Sequence, residues 1–235
     1  MTNEWTVKNI LSELHKSAQP ANLDGMARYG MTTTNRLGIN IPILRTLAKK
    51  VGTNHHLAID LWRTGIAEAR ILAALIDDPQ AVTSQQMEEW VADFDSWDIC
   101  DQVCLNLFDK TPLVWVKIRA WAQREEEFVR RAAFALIAAT AWHDKQAGDR
   151  VFIDLIPVIF AAAEDERNYV RKGVSWALRH IGKRNLTLNK HAIQAAEELV
   201  KQESRTAQWI GRDALKDISR ESVLSRLRKR SDRGH

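Results

Sequence analysis

The sequence predicts an all-α protein, a solenoid of paired antiparallel helices with a concave basic face. Three observations carry that prediction. Apolar residues recur at helical spacing nearly throughout, whereas strand-type alternation is scarce. Five prolines and ten glycines in 235 residues leave few interruptions. A short pattern also repeats about every 40 residues in the second half of the chain.

Helix breaks are expected at Thr53–His56, Asp77–Thr83, Asp109–Pro112, His143–Gly148, Asp165–Asn168 and Gly182–Leu186. The segments between them are amphipathic and roughly 10–18 residues long. The repeat is seen by comparing Phe128-Val129-Arg130-Arg131-Ala132-Ala133 with Tyr169-Val170-Arg171-Lys172-Gly173-Val174 and then with Trp209-Ile210-Gly211-Arg212-Asp213-Ala214. Their starts are 41 and 40 residues apart. A weaker echo is Arg70-Ile71-Leu72-Ala73-Ala74-Leu75. Such a period with paired helices indicates a HEAT-like α-solenoid, in which each repeat buries its apolar face against its neighbours. The competing reading is an irregular helical bundle. The chain is read as one repeat domain over residues 1–235. A basic tail from about residue 225 (Arg226, Arg228, Lys229, Arg230, Arg233) is expected either to order against a ligand or to be disordered.

Composition is that of a folded, soluble protein, 45% apolar and 27% charged. No apolar run reaches the ~18 residues of a spanning helix. Met1 to Trp5 shows neither a basic start nor an apolar core of a signal peptide. The two cysteines, Cys100 and Cys104, lie one helical turn apart, a poor spacing for a disulfide; the cytoplasm is the expected compartment. The net charge of +4 is unevenly placed. Residues 1–113 carry 10 Lys/Arg against 14 Asp/Glu, net −4, and residues 114–235 carry 24 against 16, net +8. A basic half is the electrostatic footprint of a nucleic-acid binder, or simply a solvated face.

The chemistry-bearing stretch is Ser96-Trp97-Asp98-Ile99-Cys100-Asp101. On a helix Trp97 and Asp101 share one face. No cation lies one turn from Asp101, so its burial calls for a tertiary cation, a metal or a positively charged ligand. Asp98 falls in the first turn, after a cap by Asp95 or Ser96, where the helix dipole explains it; it is read as structural. At 100° per residue, Val170, Val174, Ala177, Leu178 and Ile181 form a buried stripe. Trp176 points almost the opposite way, in company with Tyr169, Lys172, Gly173, Arg179 and His180. Gly173 reads as clearance for a ligand backbone, and a neighbouring repeat covering Trp176 is the plainer alternative. Ala135 and Ala138 share the face of Arg131, which leaves room for a groove beside its guanidinium. Arg131 is matched to phosphates, to a pair with Glu127, or to Asp101. No HExxH, G-x-S-x-G, P-loop or glycine-rich dinucleotide turn is present. His55-His56 lacks further ligands at metal spacing, so neither metal nor cofactor is expected.

With these residues in view, the chain resembles the HEAT-like-repeat alkylpurine DNA glycosylases, the AlkD-like DNA alkylation repair enzymes. Met26-Ala27-Arg28-Tyr29-Gly30-Met31, with Leu37-Gly38-Ile39 and Pro42, resembles the family's opening signature. Trp97-Asp98-x-x-Asp101 resembles its central motif, and Phe128-Val129-Arg130-Arg131-Ala132-Ala133 and Lys172-Gly173-x-x-Trp176-x-x-Arg179 its later ones. Each is weak alone; four in order over almost the whole chain are specific. The resemblance implies a monofunctional glycosylase that removes cationic N3- and N7-alkylated purines (3-methyladenine, 7-methylguanine) from double-stranded DNA. It implies Asp101 as catalytic carboxylate and Trp97 and Trp176 as the aromatic pair. Arg131 or its neighbour Arg130, together with Lys172 and Arg179, would contact DNA. The family leaves the lesion in the duplex rather than flipping it. No cofactor is implied, and a monomer is expected.

Two other readings stay open. One is a non-catalytic member of the same fold that binds damaged or branched DNA. The other is a scaffold whose basic face takes an acidic protein.

Overall fold

The computed structural model describes residues 5–231, which are helix and connecting loop with no strand among them. The chain read from its sequence as one array divides by its contacts into two compact units, residues 1–113 and 114–235.

The first unit contains α1 (Val7–Lys16), α2 (Leu23–Arg28), α3 (Ile41–Val51), α4 (His55–Trp62), α5 (Ala67–Ile76), α6 (Ser84–Ala92) and α7 (Trp97–Asn106). The side chains of Thr6, Asn54 and Thr83 cap α1, α4 and α6, each accepting from a backbone N–H three residues on. The expected breaks at Thr53–His56 and Asp77–Thr83 are therefore built around two of these caps. Helix α5 is the centre of the unit. All of it except Arg70 and Leu75 is buried, and α3, α4 and α7 pack on it. Beside it the Trp62 and Trp90 rings stack 4.0 Å apart and 4° from parallel, with the Arg70 guanidinium 5.0 Å from the Trp62 ring. His55, read as a poor metal ligand, lies 2.6 Å from the Asp77 carboxylate through Nδ1.

Glu68 of α5 is 1% exposed. Its carboxylate accepts from the backbone N–H groups of Leu37, Gly38 and Ile39 at 2.9, 2.8 and 3.1 Å, an arrangement that satisfies a buried charge with three donors. Gly38 has φ +76°, and a Cβ there would lie 2.3 Å from the Gln19 carbonyl oxygen. Only glycine fits this corner.

The second unit contains α8 (Val114–Trp121), α9 (Glu127–His143), α10 (Asp149–Ile153), α11 (Ile156–Ala161), α12 (Asn168–Gly182), α13 (Leu186–Lys201), α14 (Arg205–Ile218) and α15 (Glu221–Ser231). Helix α12 packs on α9, α13 and α14, and α13 packs on α14. The three repeat motifs lie on α9, α12 and α14, which begin at residues 127, 168 and 205, intervals of 41 and 37. Phe128 and Tyr169 both occupy the second helical position, their rings 5.4 Å apart. Trp209 sits a turn deeper into α14, because only residues 202–204 separate it from α13. The third copy is thus out of phase with the sequence alignment. Its ring is covered instead by the Arg171 guanidinium at 5.0 Å.

Bonds 38 residues apart tie one repeat to the next. Arg131 donates to the Tyr169 carbonyl at 2.7 Å, Ser175 to the Asp213 carboxylate at 2.5 Å, and Arg179 to the Asp217 carboxylate at 3.5 Å. The tail from residue 225 is helical as far as Ser231, since α15 buries Val223 and Leu227. Arg233 lies outside the described residues.

Glycine allows a close contact between α13 and α14 in this unit. A Cβ on Gly211 of α14 would fall 2.5 Å from the Ala196 carbonyl oxygen and 2.8 Å from Val200 Cγ2 on α13. Gly211→Ala is expected to lower stability by about 1–3 kcal/mol through overpacking, despite alanine's higher helix propensity. Gly25→Ala on α2, where an added Cβ meets nothing within 4 Å, is expected to be neutral or to stabilise by up to ~1 kcal/mol. Urea denaturation of the two variants checks the contrast; equal midpoints would show that α13 and α14 give way.

Candidate active site

Helix α7 begins at Trp97 with Ser96 at its N-cap. The Ser96 hydroxyl does not cap the helix. It donates to Asp98 Oδ1 at 2.5 Å and accepts from the Thr32 backbone N–H at 3.3 Å. Asp98 is also gripped by Arg36, whose two terminal nitrogens reach its two oxygens at 2.7 and 3.0 Å. Arg36 is 8% exposed and Asp98 9%, so this is a buried fork-to-fork pair. Arg36 Nε donates in addition to the Thr32 carbonyl at 2.6 Å. Asp98 thus has a structural partner beyond the helix dipole, one that the sequence reading did not identify.

Asp101 lies one turn after Trp97 and is 9% exposed. Trp97 is half-buried, and its indole N–H donates to the Tyr29 carbonyl at 3.0 Å. The opening motif around Tyr29 therefore orients the indole that shares a face with Asp101. Tyr29 itself is 77% exposed, so its backbone does the holding. Cys100 and Cys104 are fully buried thiols that form no disulfide. Burial, then the bond and charge of Cys100, push the Cys104 thiol well above its ordinary pKa.

In the second unit Val170, Val174, Ala177, Leu178 and Ile181 are all fully buried. Trp176 is half-buried on the other side of α12, edge-on to His180 with centroids 5.7 Å apart. Lys172 is exposed. Gly173 is not open to a ligand: a Cβ there would meet Phe134 Cβ at 3.4 Å and Arg131 Cγ at 3.6 Å. Its clearance serves the approach of α9, which corrects the sequence expectation. Ala135 and Ala138 are likewise fully buried and leave no open groove. Arg131 is 6% exposed and held by the Tyr169 carbonyl. Glu127 accepts from the Tyr169 N–H at 3.3 Å, so both backbone polar groups of Tyr169 are tied to α9.

The remaining cations have carboxylate partners that the spacing did not reveal. Arg130 lies 3.1 Å from Asp165, which also takes Arg167 at 2.5 Å. Burial works to raise the Asp165 pKa, but the bonds and charge of Arg167, with the charge of Arg130, hold it below the usual range. Arg179 lies 3.6 Å from Asp213 and 3.5 Å from Asp217, and Lys183 also contacts Asp217. For Asp217 too, burial is outweighed by Lys183 and Arg179, and its pKa is lowered. These partners come from other repeats or from loops, so local sequence carries no signal for them.

His180 provides a pH test. Burial first, then the charges of Lys183 and Arg179, depress its pKa to about 4 from 6.5, against a smaller opposing effect of Asp217. Between these values the unfolded chain binds a proton that the folded one refuses. Stability is therefore full above pH 6.5 and falls as pH drops toward 4, by on the order of 2–3 kcal/mol. His180→Gln is expected to flatten that part of the stability profile, measured by chemical denaturation at stepped pH. An unchanged slope would assign the acid lability to other groups.

Comparison with known proteins follows the same lines. The chain matches the DNA alkylation repair enzyme family over residues 10–218. A solved structure that is 16% identical superposes with a TM-score of 0.75, over 89% of this chain and 94% of its own. It belongs to a new family of proteins related to the HEAT-like repeat DNA glycosylases with affinity for branched DNA structures. At that identity the likeness concerns the fold, which is HEAT-like. No curated protein matches the chain. No helix among the described residues is long and apolar enough to cross a membrane. The family match runs from Ile10 in α1 to Ile218 in α14 and so takes in helices of both units; the chain belongs to the DNA alkylation repair enzyme family.

Proposed function

We propose that this protein is a monofunctional DNA glycosylase that releases cationic N3- and N7-alkylpurines from duplex DNA by hydrolysing the N-glycosidic bond. The observation that carries this is the division of labour on α7. Asp98 is gripped by Arg36, and Asp101, 9% exposed, follows by one helical turn the half-buried Trp97, whose indole is oriented by the Tyr29 carbonyl. An alkylpurine that is already positive needs no proton to leave. The remaining task is to stabilise positive charge on the deoxyribose as the bond breaks. An ionised Asp101 does so through space and orients the attacking water. The Trp97 face attracts the cationic base by about 0.5–2 kcal/mol. On the second unit, half-buried Trp176 offers an indole for stacking and exposed Lys172 a contact to phosphate. Arg131, Arg130 and Arg179 are held by protein partners, which suits rigid placement of charge better than a mobile grip. Lys172, the lysine of these motifs, is assigned to phosphate rather than to a Schiff base, so the strand stays intact.

The test is release of 7-methylguanine or 3-methyladenine from methylated duplex DNA, read by chromatography of the freed base. Absence of release on both lesions would end the proposal. A second reading, non-catalytic binding of branched DNA, is favoured by the description of the structural relative. It expects a mobility shift on four-way junctions, with affinity above that for linear duplex and no base release.

A further inference from the structure

A cavity of about 310 Å³ opens on the second unit, apart from the side chains named above for excision. Its walls include Trp142, Lys145, Lys183, Arg184, Arg226 and Arg230, and no carboxylate among the described residues lines it. The cations are placed there by construction. The Arg184 guanidinium donates to the carbonyls of Ala141 at 3.2 Å, Asp144 at 2.5 Å and Ala147 at 2.5 Å, and lies 4.6 Å from the Phe152 ring. It is thus fixed by neutral carbonyls rather than by an acid. Arg226 and Arg230 stand one turn apart and exposed on α15, with Leu227 buried beside them. Lys145 is anchored to the Trp142 carbonyl. Burial, then the charges of Arg184 and Arg230, lower its pKa; these cations crowd one another. Among the described residues, Lys183 alone of the five is balanced by an acid, Asp217. Trp142 is 57% exposed, an unusual state for so large an apolar ring, and it packs on His143 at 4.7 Å and on His180 at 6.2 Å.

We propose that this pocket receives the phosphorylated end of a DNA strand, its terminal phosphate among Arg184, Arg226 and Arg230 and the adjoining base on Trp142. Three arguments select a strand end over a run of backbone. The cavity is at the small end of ligand pockets, suited to about one nucleotide. A terminal phosphate monoester carries about −1.5 to −2 charges at neutral pH, a better match to several unbalanced cations than one diester charge. Guanidinium forks pair with phosphate oxygens, and an exposed indole takes any base by stacking. The inference rests on the reading of this protein as a DNA binder and is independent of the excision chemistry.

Full-length protein is titrated, at one salt concentration, into fluorescent duplexes that differ at a single nick: 5′-phosphate, 3′-phosphate, or hydroxyls on both sides. An uninterrupted duplex with capped ends is the reference. One of the two phosphorylated nicks is expected to bind roughly tenfold tighter than the hydroxyl nick, and the pair of arms identifies which end. R226A/R230A, two exposed changes, is expected to erase that advantage while binding to the capped duplex stays within about twofold. W142A is expected to reduce the advantage several-fold. Equal affinity for phosphate and hydroxyl nicks would overturn the proposal. An equal loss on nicked and capped duplexes in R226A/R230A would also overturn it, by assigning these arginines to ordinary backbone contact. Base release from covalently closed methylated DNA, which has no ends, is assayed alongside. Its failure speaks against the glycosylase reading alone.

Discussion

Asp101→Asn is expected to lower base release from methylated duplex DNA by ~10²-fold or more, with DNA affinity within about threefold of the parent. The substitution keeps the size of the side chain and much of its hydrogen-bonding capacity, and removes the negative charge. The phosphate contacts proposed for exposed cations such as Lys172 are untouched, so binding is expected to persist. The barrier rises because the sugar's developing positive charge has lost its counter-charge in a site where water screens poorly. The asymmetry between turnover and binding is the signature of a group that acts mainly in the transition state. Single-turnover excision and fluorescence anisotropy on the same duplex check it. A parent-like rate would remove Asp101 from the chemistry. Parallel loss of rate and affinity would make it a binding residue instead.

The fold was legible from sequence because it is written in local patterns. The helical period, the breaks at Thr53–His56 and Asp77–Thr83, and the buried stripe of α12 all involve residues within a few turns of each other. The phase of the third repeat was not, because it depends on the three-residue link before α14 rather than on the motif around Trp209. For the site, the motif spacing drew attention to Trp97 and Asp101, whereas their setting depends on long-range partners. Tyr29 reaches Trp97 across 68 residues and Arg36 reaches Asp98 across 62. Glu68 fixes the Leu37–Ile39 loop from about 30 residues away. Gly173 was misread for a related reason. A glycine among cations reads as an opening toward a ligand, and its actual neighbours belong to α9, one repeat earlier. Periodicity tells which side of a helix is apolar; it does not tell which polar side another repeat will cover.

Asp98→Ala is expected to cost about 3–5 kcal/mol of stability, more than any other single change considered. The buried Arg36 guanidinium would lose both carboxylate bonds, at 2.7 and 3.0 Å, and keep only the Thr32 carbonyl at 2.6 Å. A guanidinium stays charged at any accessible pH, so it cannot escape the penalty by losing its proton. Ser96 would lose its acceptor as well. Arg36→Met/Asp98→Leu removes both charges and should recover most of the loss, because an apolar pair of similar volume is often as stable as a buried ion pair. Denaturant unfolding of the two single variants and the double variant measures this as a cycle. A double variant as unstable as the sum of the singles would show that the pair is not coupled. Set beside Asp101→Asn, the cycle separates two carboxylates three residues apart on one helix. Change at Asp98 is read in unfolding, with activity falling only as the folded fraction falls. Change at Asp101 is read in turnover, with unfolding little altered.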